Sequence, residues 1–280
     1  MKTSNNSKVW FITGTSRGFG ALIAKAVLEA GDTVIGTGRK AADVTRALGD
    51  SERLLALDLD VADSAAVSKA VEAGIARFGR IDVLVNNAGF GVLGGIEEIS
   101  GAEVERIFRT NVFGLLNVTR AVLPQMRKQR SGHIINLSSV GGYQSYAGWG
   151  AYCATKFAVE GITESLALEV APLGIFATVV EPGFFRTDFL DAKSLATAPN
   201  SIPDYAETVG AMRKAMADAN HQQPNNPAKL APALLKLVNA AKPPVRLPLG
   251  FDAIAAIEIK NAFVAKELAE WREVAESTAF

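Results

Sequence analysis

The chain has 280 residues, 49% of them apolar, enough to bury one large core. Lysine plus arginine balance aspartate plus glutamate at 29 each, so no net field would draw the chain to a nucleic acid or an anionic membrane, and neither partner is expected. A single cysteine, Cys153, excludes an intrachain disulfide, and two histidines, His133 and His221, are too few for a dedicated transition-metal site, so no metal is expected.

The start, "MKTSNNSKVWFITGTS", is polar and then only briefly apolar, which fits neither a secretory leader nor a spanning helix and points to a soluble, cytoplasmic protein. Short runs rich in Val, Ile and Leu follow: "VWFIT" at 9–13, "TVIGT" at 33–37, "RLLALD" at 53–58, "IDVLVNN" at 81–87, "HIINLSS" at 133–139 and "IFATVVEPG" at 175–183. They read as strands buried on both faces. Between them lie "GALIAKAVLEAG", "SAAVSKAVEAGIARFG", one long helix from Glu103 to about Arg130, and "AYCATKFAVEGITESLALEVAPLG", each with apolar residues at helical spacing and most with a glycine near the end. Strand and helix in alternation imply a parallel sheet, because parallel strands need crossover connections. The expected fold class is α/β, a doubly wound parallel sheet flanked by helices in one domain over 1–280.

Beyond the sixth strand the pattern weakens. From about 188 to 227 Asn, Pro and Ala accumulate, with "YAETVGAMRKAMADA" as a helix candidate, and the segment reads as an insertion over the carboxyl edge of the sheet. A helix near 228–240, a strand "VRLPL" and a charged helical extension over about 251–280 complete the chain.

Three stretches carry chemistry. "ITGTSRGFG" joins the first strand to the first helix: Gly14 allows the tight turn, Gly18 lets backbone approach a diphosphate, and Gly20 lets helix and sheet pack closely, with the helix N-terminus offering N–H groups to phosphate. At the end of the second strand, "VIGTGRK" has Gly38 where an acidic residue would accept hydrogen bonds from a ribose, and Arg39 follows it; with Arg17 in the glycine loop, this predicts NADP(H) over NAD(H). In "YCATK", Tyr152 and Lys156 stand four apart on a predicted helix and share a face, so the ammonium is expected to bring the phenol, ordinarily near pH 10, toward working pH. Strand alternation sends Ser138 and Ser139 in opposite directions. Cys153 turns away from Tyr152 by about 100 degrees around the helix and reads as buried filler.

Taken together, "TGTSRGFG", "NNAG" at 86–89, Asn111, Ser139, "YCATK" at 152–156 and "PG" at 182–183 resemble the short-chain dehydrogenase/reductase family in its non-extended form, in order from about residue 8 to 190. The resemblance implies a Rossmann-type fold. It also implies a glycine loop (Gly14, Ser16, Arg17, Gly18, Phe19, Gly20) around the diphosphate, with Arg39, Asp60 and Val61 at the adenosine, Asp58 being the rival acid. Asn87, Ala88 and Gly89 would line a ribose, and Pro182, Gly183, Phe185 and Thr187 would hold the nicotinamide. Ser139, Tyr152, Lys156 and Asn111 would be the catalytic set: Tyr152 exchanges the proton, Ser139 orients the substrate oxygen, Lys156 binds the nicotinamide ribose, and Asn111 holds a water linking Lys156 to solvent.

"FITGTSRGFG" and "AYCATKF" lean toward hydroxysteroid- and retinol-dehydrogenase-like members. Phe90, Leu93, Tyr143, Tyr146, Trp149, Phe184 and the segment beyond Phe189 are the expected pocket wall, suited to a small hydrophobic ketone or secondary alcohol. A protein that merely senses NADP(H) would be expected to have lost Tyr152, Lys156 or Ser139, and all are present. Family members usually associate through helices matching Glu103–Arg130 and Tyr152–Val170, so a homodimer or homotetramer is expected.

Overall fold

The computed structural model describes residues 7–280, so the polar start expected at 1–6 lies outside the described residues. The strands are β1 (Val9–Thr13), β2 (Thr33–Gly38), β3 (Leu54–Asp58), β4 (Val83–Asn86), β5 (Gly91–Leu93), β6 (Gly132–Leu137), β7 (Ile175–Pro182), β8 (Leu195–Thr197) and β9 (Arg246–Leu249). The helices are α1 (Gly18–Glu29), α2 (Ala41–Leu48), α3 (Ser64–Phe78), α4 (Gly101–Phe108), α5 (Leu115–Gln129), α6 (Gly150–Val170), α7 (Ala211–Ala219), α8 (Leu230–Val238), α9 (Phe251–Glu270) and α10 (Arg272–Glu276).

Seven strands form one parallel sheet in the order β3-β2-β1-β4-β6-β7-β9. Successive side chains of β1 serve opposite faces: Phe11 packs with Val67, Val122 and Leu166 of α3, α5 and α6, while Trp10 and Ile12 pack with Ile23 of α1 and Leu234 of α8. Helices on both faces make this a single Rossmann-type α/β domain. The chain order reverses between β1 and β4, and a crevice opens beyond their carboxyl ends.

Several elements differ from expectation. β3 is a half-buried edge strand rather than one covered on both faces. The predicted helix from Glu103 to Arg130 is interrupted by a π-helical turn, Arg109–Gly114, which turns Asn111 inward and lays Gly114 so close to Val61 that a Cβ would stand 2.5 Å from Cγ2. Unanticipated were α2, which buries Val44 alone, and a two-stranded parallel sheet in which β5 pairs with β8. Over the sheet's carboxyl edge, the segment after β7 runs through short turns and β8 into α7, whose helix begins after a π turn at Ala206–Gly210. Beyond Lys260 all residues are exposed. Among the described residues no helix is long and apolar enough to cross a membrane.

Candidate functional site

The crevice is a cleft of about 1430 Å³. At its centre β1 and β4 are stitched together by side chain and backbone. The Thr13 hydroxyl accepts the N–H groups of Asn87 at 2.9 Å and Ala88 at 3.0 Å, and Asn87 Nδ2 donates to the carbonyls of Thr13 and Gly14 at 2.8 and 3.1 Å. Gly14 has φ +73, and at Gly20 a Cβ would run into the Gly14 carbonyl. Both glycines let α1 start directly under the turn. Gly18, at φ +56, has nothing within 4 Å of its Cβ position and leaves the backbone open to the cleft. No side chain caps α1 and no acid lies in its first turn, so its leading N–H groups and the positive end of its dipole face a site that suits a diphosphate.

One end of this cleft is lined by Ser16, Gly38, Arg39, Lys40, Arg46, Asp60 and Val61. Asp58 points elsewhere, accepting the Ala41 N–H at 2.5 Å, while Asp60 caps the turn before α3 through Ala62 at 2.9 Å. Arg17 does not join this cluster: its Nη2 donates to the Lys193 carbonyl at 2.6 Å, tying the glycine loop to the segment that crosses the cleft.

On the opposite wall Ser139, Tyr152 and Lys156 come together. Ser139 follows β6, and its Oγ accepts the Gly141 N–H at 3.0 Å. Gly141 is wedged between strand end and helix start: a Cβ there would stand 3.5 Å from both Ser139 Oγ and Tyr152 Cε1, and 3.2 Å from Cys153 Sγ. Lys156 lies one turn beyond Tyr152 on α6, its Nζ 5.7 Å from the phenol ring centroid and donating to the Leu137 carbonyl at 2.7 Å.

Folding does not lower Tyr152 in the way the spacing suggested. Burial pushes the phenol up, against the Ser139 hydroxyl, and burial lowers Lys156 to about 8, with Glu160 opposing. Desolvation of both charged forms outweighs their attraction. Burial also raises the Cys153 thiol, which stays protonated and unreactive.

Asn111 is buried behind this wall and does not line the cleft. Its Oδ1 accepts the Phe90 N–H at 3.1 Å, and both amide hydrogens are used, by the Phe90 carbonyl at 3.0 Å and Thr155 Oγ1 at 3.2 Å. Gly20 likewise supports the cleft from beneath, whereas the other predicted site residues line it: Gly14, Ser16 to Phe19, Arg39, Asp60, Val61, Asn87 to Gly89, Ser139, Tyr152, Lys156, Pro182, Gly183, Phe185 and Thr187.

The mouth over Tyr152 is aromatic. Phe189 stacks on Trp149 with centroids 6.5 Å apart and tilts over Tyr152 at 5.6 Å, and Phe90, Tyr146 and Phe184 line the same space. Two expected wall residues are not there: Leu93 is core, and Tyr143 turns outward, its hydroxyl donating to Asn261 Oδ1 at 2.5 Å. Sequence reasoning also missed the groups that fix the Pro182–Phe184 loop. The Phe184 N–H donates to Asp252 Oδ2 at 2.6 Å, and Asn225 Nδ2 donates to both the Phe184 carbonyl at 3.0 Å and Asp252 Oδ1 at 2.6 Å. The one signal was position, an acid just inside α9 after Gly250. Lys40 was missed as well, although it directly follows Arg39.

The short chain dehydrogenase family matches residues 8–197. Oxidoreductase BOA17 of Botryotinia fuckeliana is 40% identical over 98% of this chain and 100% of its own length, and 3-ketodihydrosphingosine reductase of Bacteroides thetaiotaomicron is 40% identical over 87% of this chain and 88% of its own. A short-chain dehydrogenase from Streptomyces avermitilis superposes with a TM-score of 0.90 at 43% identity, covering 98% of this chain and 100% of that one. Two structures at 28% identity carry different cofactors. The 3-ketoacyl-(acyl-carrier-protein) reductase of Brucella melitensis is complexed with NADH (TM-score 0.74, covering 88% of this chain and 98% of that one), and a serine dehydrogenase with NADP+ (0.72, 86% and 94%). Motif order, sheet topology and relatives agree, and the chain belongs to the short-chain dehydrogenase family of oxidoreductases.

Proposed function

We propose that the protein is an NADP(H)-dependent oxidoreductase that interconverts a hydrophobic ketone and its secondary alcohol. The observation that carries this reading is the convergence of Ser139, Tyr152 and Lys156 under an aromatic mouth, in the same cleft as an uncapped helix N-terminus and its glycine turn. When bound, the nicotinamide cofactor supplies or accepts the hydride. Tyr152 gives a proton to the carbonyl oxygen, or takes one from the alcohol, and Ser139 holds that oxygen by a hydrogen bond. Lys156 binds the nicotinamide ribose and stabilises phenolate as it forms. Asn111 acts by fixing Phe90 and Thr155; with both amide hydrogens engaged, a water accepting from Lys156 would donate to its backbone carbonyl.

NADP(H) is favoured because β2 ends in Gly38 rather than in an acid and Arg39 and Lys40 follow it, two cations for a 2'-phosphate, while the neighbouring Asp58 is turned to the Ala41 N–H. Arg17 is engaged by Lys193, so the preference rests on Arg39 with Lys40. An aromatic enclosure with few polar groups favours an apolar substrate, and one relative is named for reducing a 3-keto group. Exposed Phe113, Phe157 and Leu168, on the π turn and α6, mark a face for a homodimer or homotetramer. A single buried cysteine fits a reducing, cytoplasmic setting.

The test is nicotinamide absorbance with NADPH and then NADH against apolar ketones, diketones and quinones. Turnover with NADPH should exceed that with NADH by about tenfold or more in kcat/KM, and Arg39→Ala should remove most of that ratio. Equal use of both cofactors would overturn the preference. Tight NADPH binding with no turnover across the panel would favour a non-catalytic sensor.

A further inference from the structure

Behind Tyr152 and Lys156 lies a group of buried charges that the proposed reaction does not use. Glu160 follows Lys156 by one turn of α6, so Tyr152, Lys156 and Glu160 share one helix face. Its side chain is buried, as is that of Glu181 on β7. One guanidinium joins them. Arg246 of β9 donates from Nη1 to Glu160 Oε2 at 2.5 Å and to Glu181 Oε1 at 2.6 Å, while its outer edge meets exposed Glu164 at 2.9 Å. The second oxygen of Glu160 has no protein partner and faces the Ser138 hydroxyl across Gly142, whose Cβ would stand 2.7 Å from Glu160 Oε1. Ser138 in turn lines the cleft beside Ser139.

Two buried carboxyls sharing one cation are an expensive way to tie a helix to a sheet, since apolar contacts would do so as well. The charged or titratable groups facing Glu160 are Lys156 and Glu164 from α6, Glu181 from β7 and Arg246 from β9, with the Tyr143 ring packed on the arginine at 5.4 Å. Burial pushes the Glu160 carboxyl up, with Glu181 adding to the rise and Ser138 and Arg246 opposing it. Lys156 is pushed down to about 8, and the negative charge on Glu160 opposes that fall.

We propose that Glu160 is a positioning residue for the Tyr152–Lys156 pair: its carboxylate, locked by Arg246 and opposed by Glu181, holds the proton on Lys156 and so sets the alkaline limit of catalysis. This rests on the acid–base reading of Tyr152 and Lys156. The test is kcat/KM against pH with saturating NADPH and the best ketone of the panel, for the parent, Glu160→Gln, Glu181→Gln and, as an exposed control on the same helix, Glu169→Gln. Removing Glu160 takes away the charge that favours the ammonium, so the alkaline limb moves to lower pH by about one unit. Removing Glu181 relieves the repulsion on Glu160, so the limb moves to higher pH, and Glu169→Gln leaves it in place. Opposite shifts from the two buried glutamates support the proposal. A network that only braces the fold would scale activity by one factor at every pH, and limbs that stay put or move together overturn the proposal. If Glu160→Gln does not fold, the sign of the Glu181→Gln shift decides alone. Tyr152→Phe keeps the two questions apart, because a Tyr152→Phe enzyme that still turns over defeats the acid–base reading itself.

Discussion

Gly20 shows how a single atom decides what the cleft can hold. Its missing Cβ leaves room for the Gly14 carbonyl and Asn87, and these are backbone and a doubly bonded amide that cannot give way. Gly20→Ala should therefore cost about 1–3 kcal/mol of stability and weaken NADPH binding by at least about tenfold. Thermal melts and a binding titration check this, and unchanged values for both would contradict the packing described. The glycine loop and the Tyr152–Lys156 pair were legible in the sequence because their geometry is set by spacing within one turn or one helix. Asp252 was not, since its partner Phe184 lies 68 residues away and no local pattern joins them. The direction of the Tyr152 shift was misread for a related reason: the lysine is a neighbour in sequence, but the burial that outweighs it involves the loop after β6 and the segment holding Phe189, both brought in by folding.

The segment between β7 and α8 crosses the mouth of the cleft. Its β8 pairs with β5, and α7 is pinned where Arg213 donates to Glu98 Oε2 at 2.7 Å and to the carbonyls of Ala198 and Asn200. Glu98 also accepts the N–H groups of Gly95 at 2.8 Å and Ile202 at 2.9 Å, which hold its carboxyl down to about 2. Arg213→Met leaves those two bonds in place and frees α7. Amide exchange in α7 should then speed up by about tenfold, with KM for the ketone rising and NADPH affinity unchanged. A parallel loss of cofactor binding would show that the arginine supports the whole cleft instead. Alternating strands and helices were readable from hydrophobic period alone. The π turn at Arg109–Gly114 was not, because the apolar pattern runs through it without a break, and β5 and β8 are three-residue strands whose pairing spans a hundred residues of chain.

Across the molecule, function follows from where the sheet reverses. β1 and β4 lie side by side at the centre of the strand order, which puts the glycine turn and Asn87 to Gly89 together at the floor of the crevice, while β6 and α6 bring Ser139 and Tyr152 to the neighbouring wall. Fold class, the order of the motifs and the position of the cleft could be anticipated from the chain because each depends on one strand-turn-helix unit at a time. The buried charges around Glu160 depend on the assembled whole, and no local motif announced them. The most direct test of the central claim is kcat/KM for ketone reduction by the parent and by Tyr152→Phe, with Tyr146→Phe alongside and NADPH affinity measured for all three. If Tyr152 is the proton donor, Tyr152→Phe should lose activity by about a thousandfold at unchanged NADPH affinity. A Tyr152→Phe enzyme within about threefold of the parent would place the proton transfer on another group.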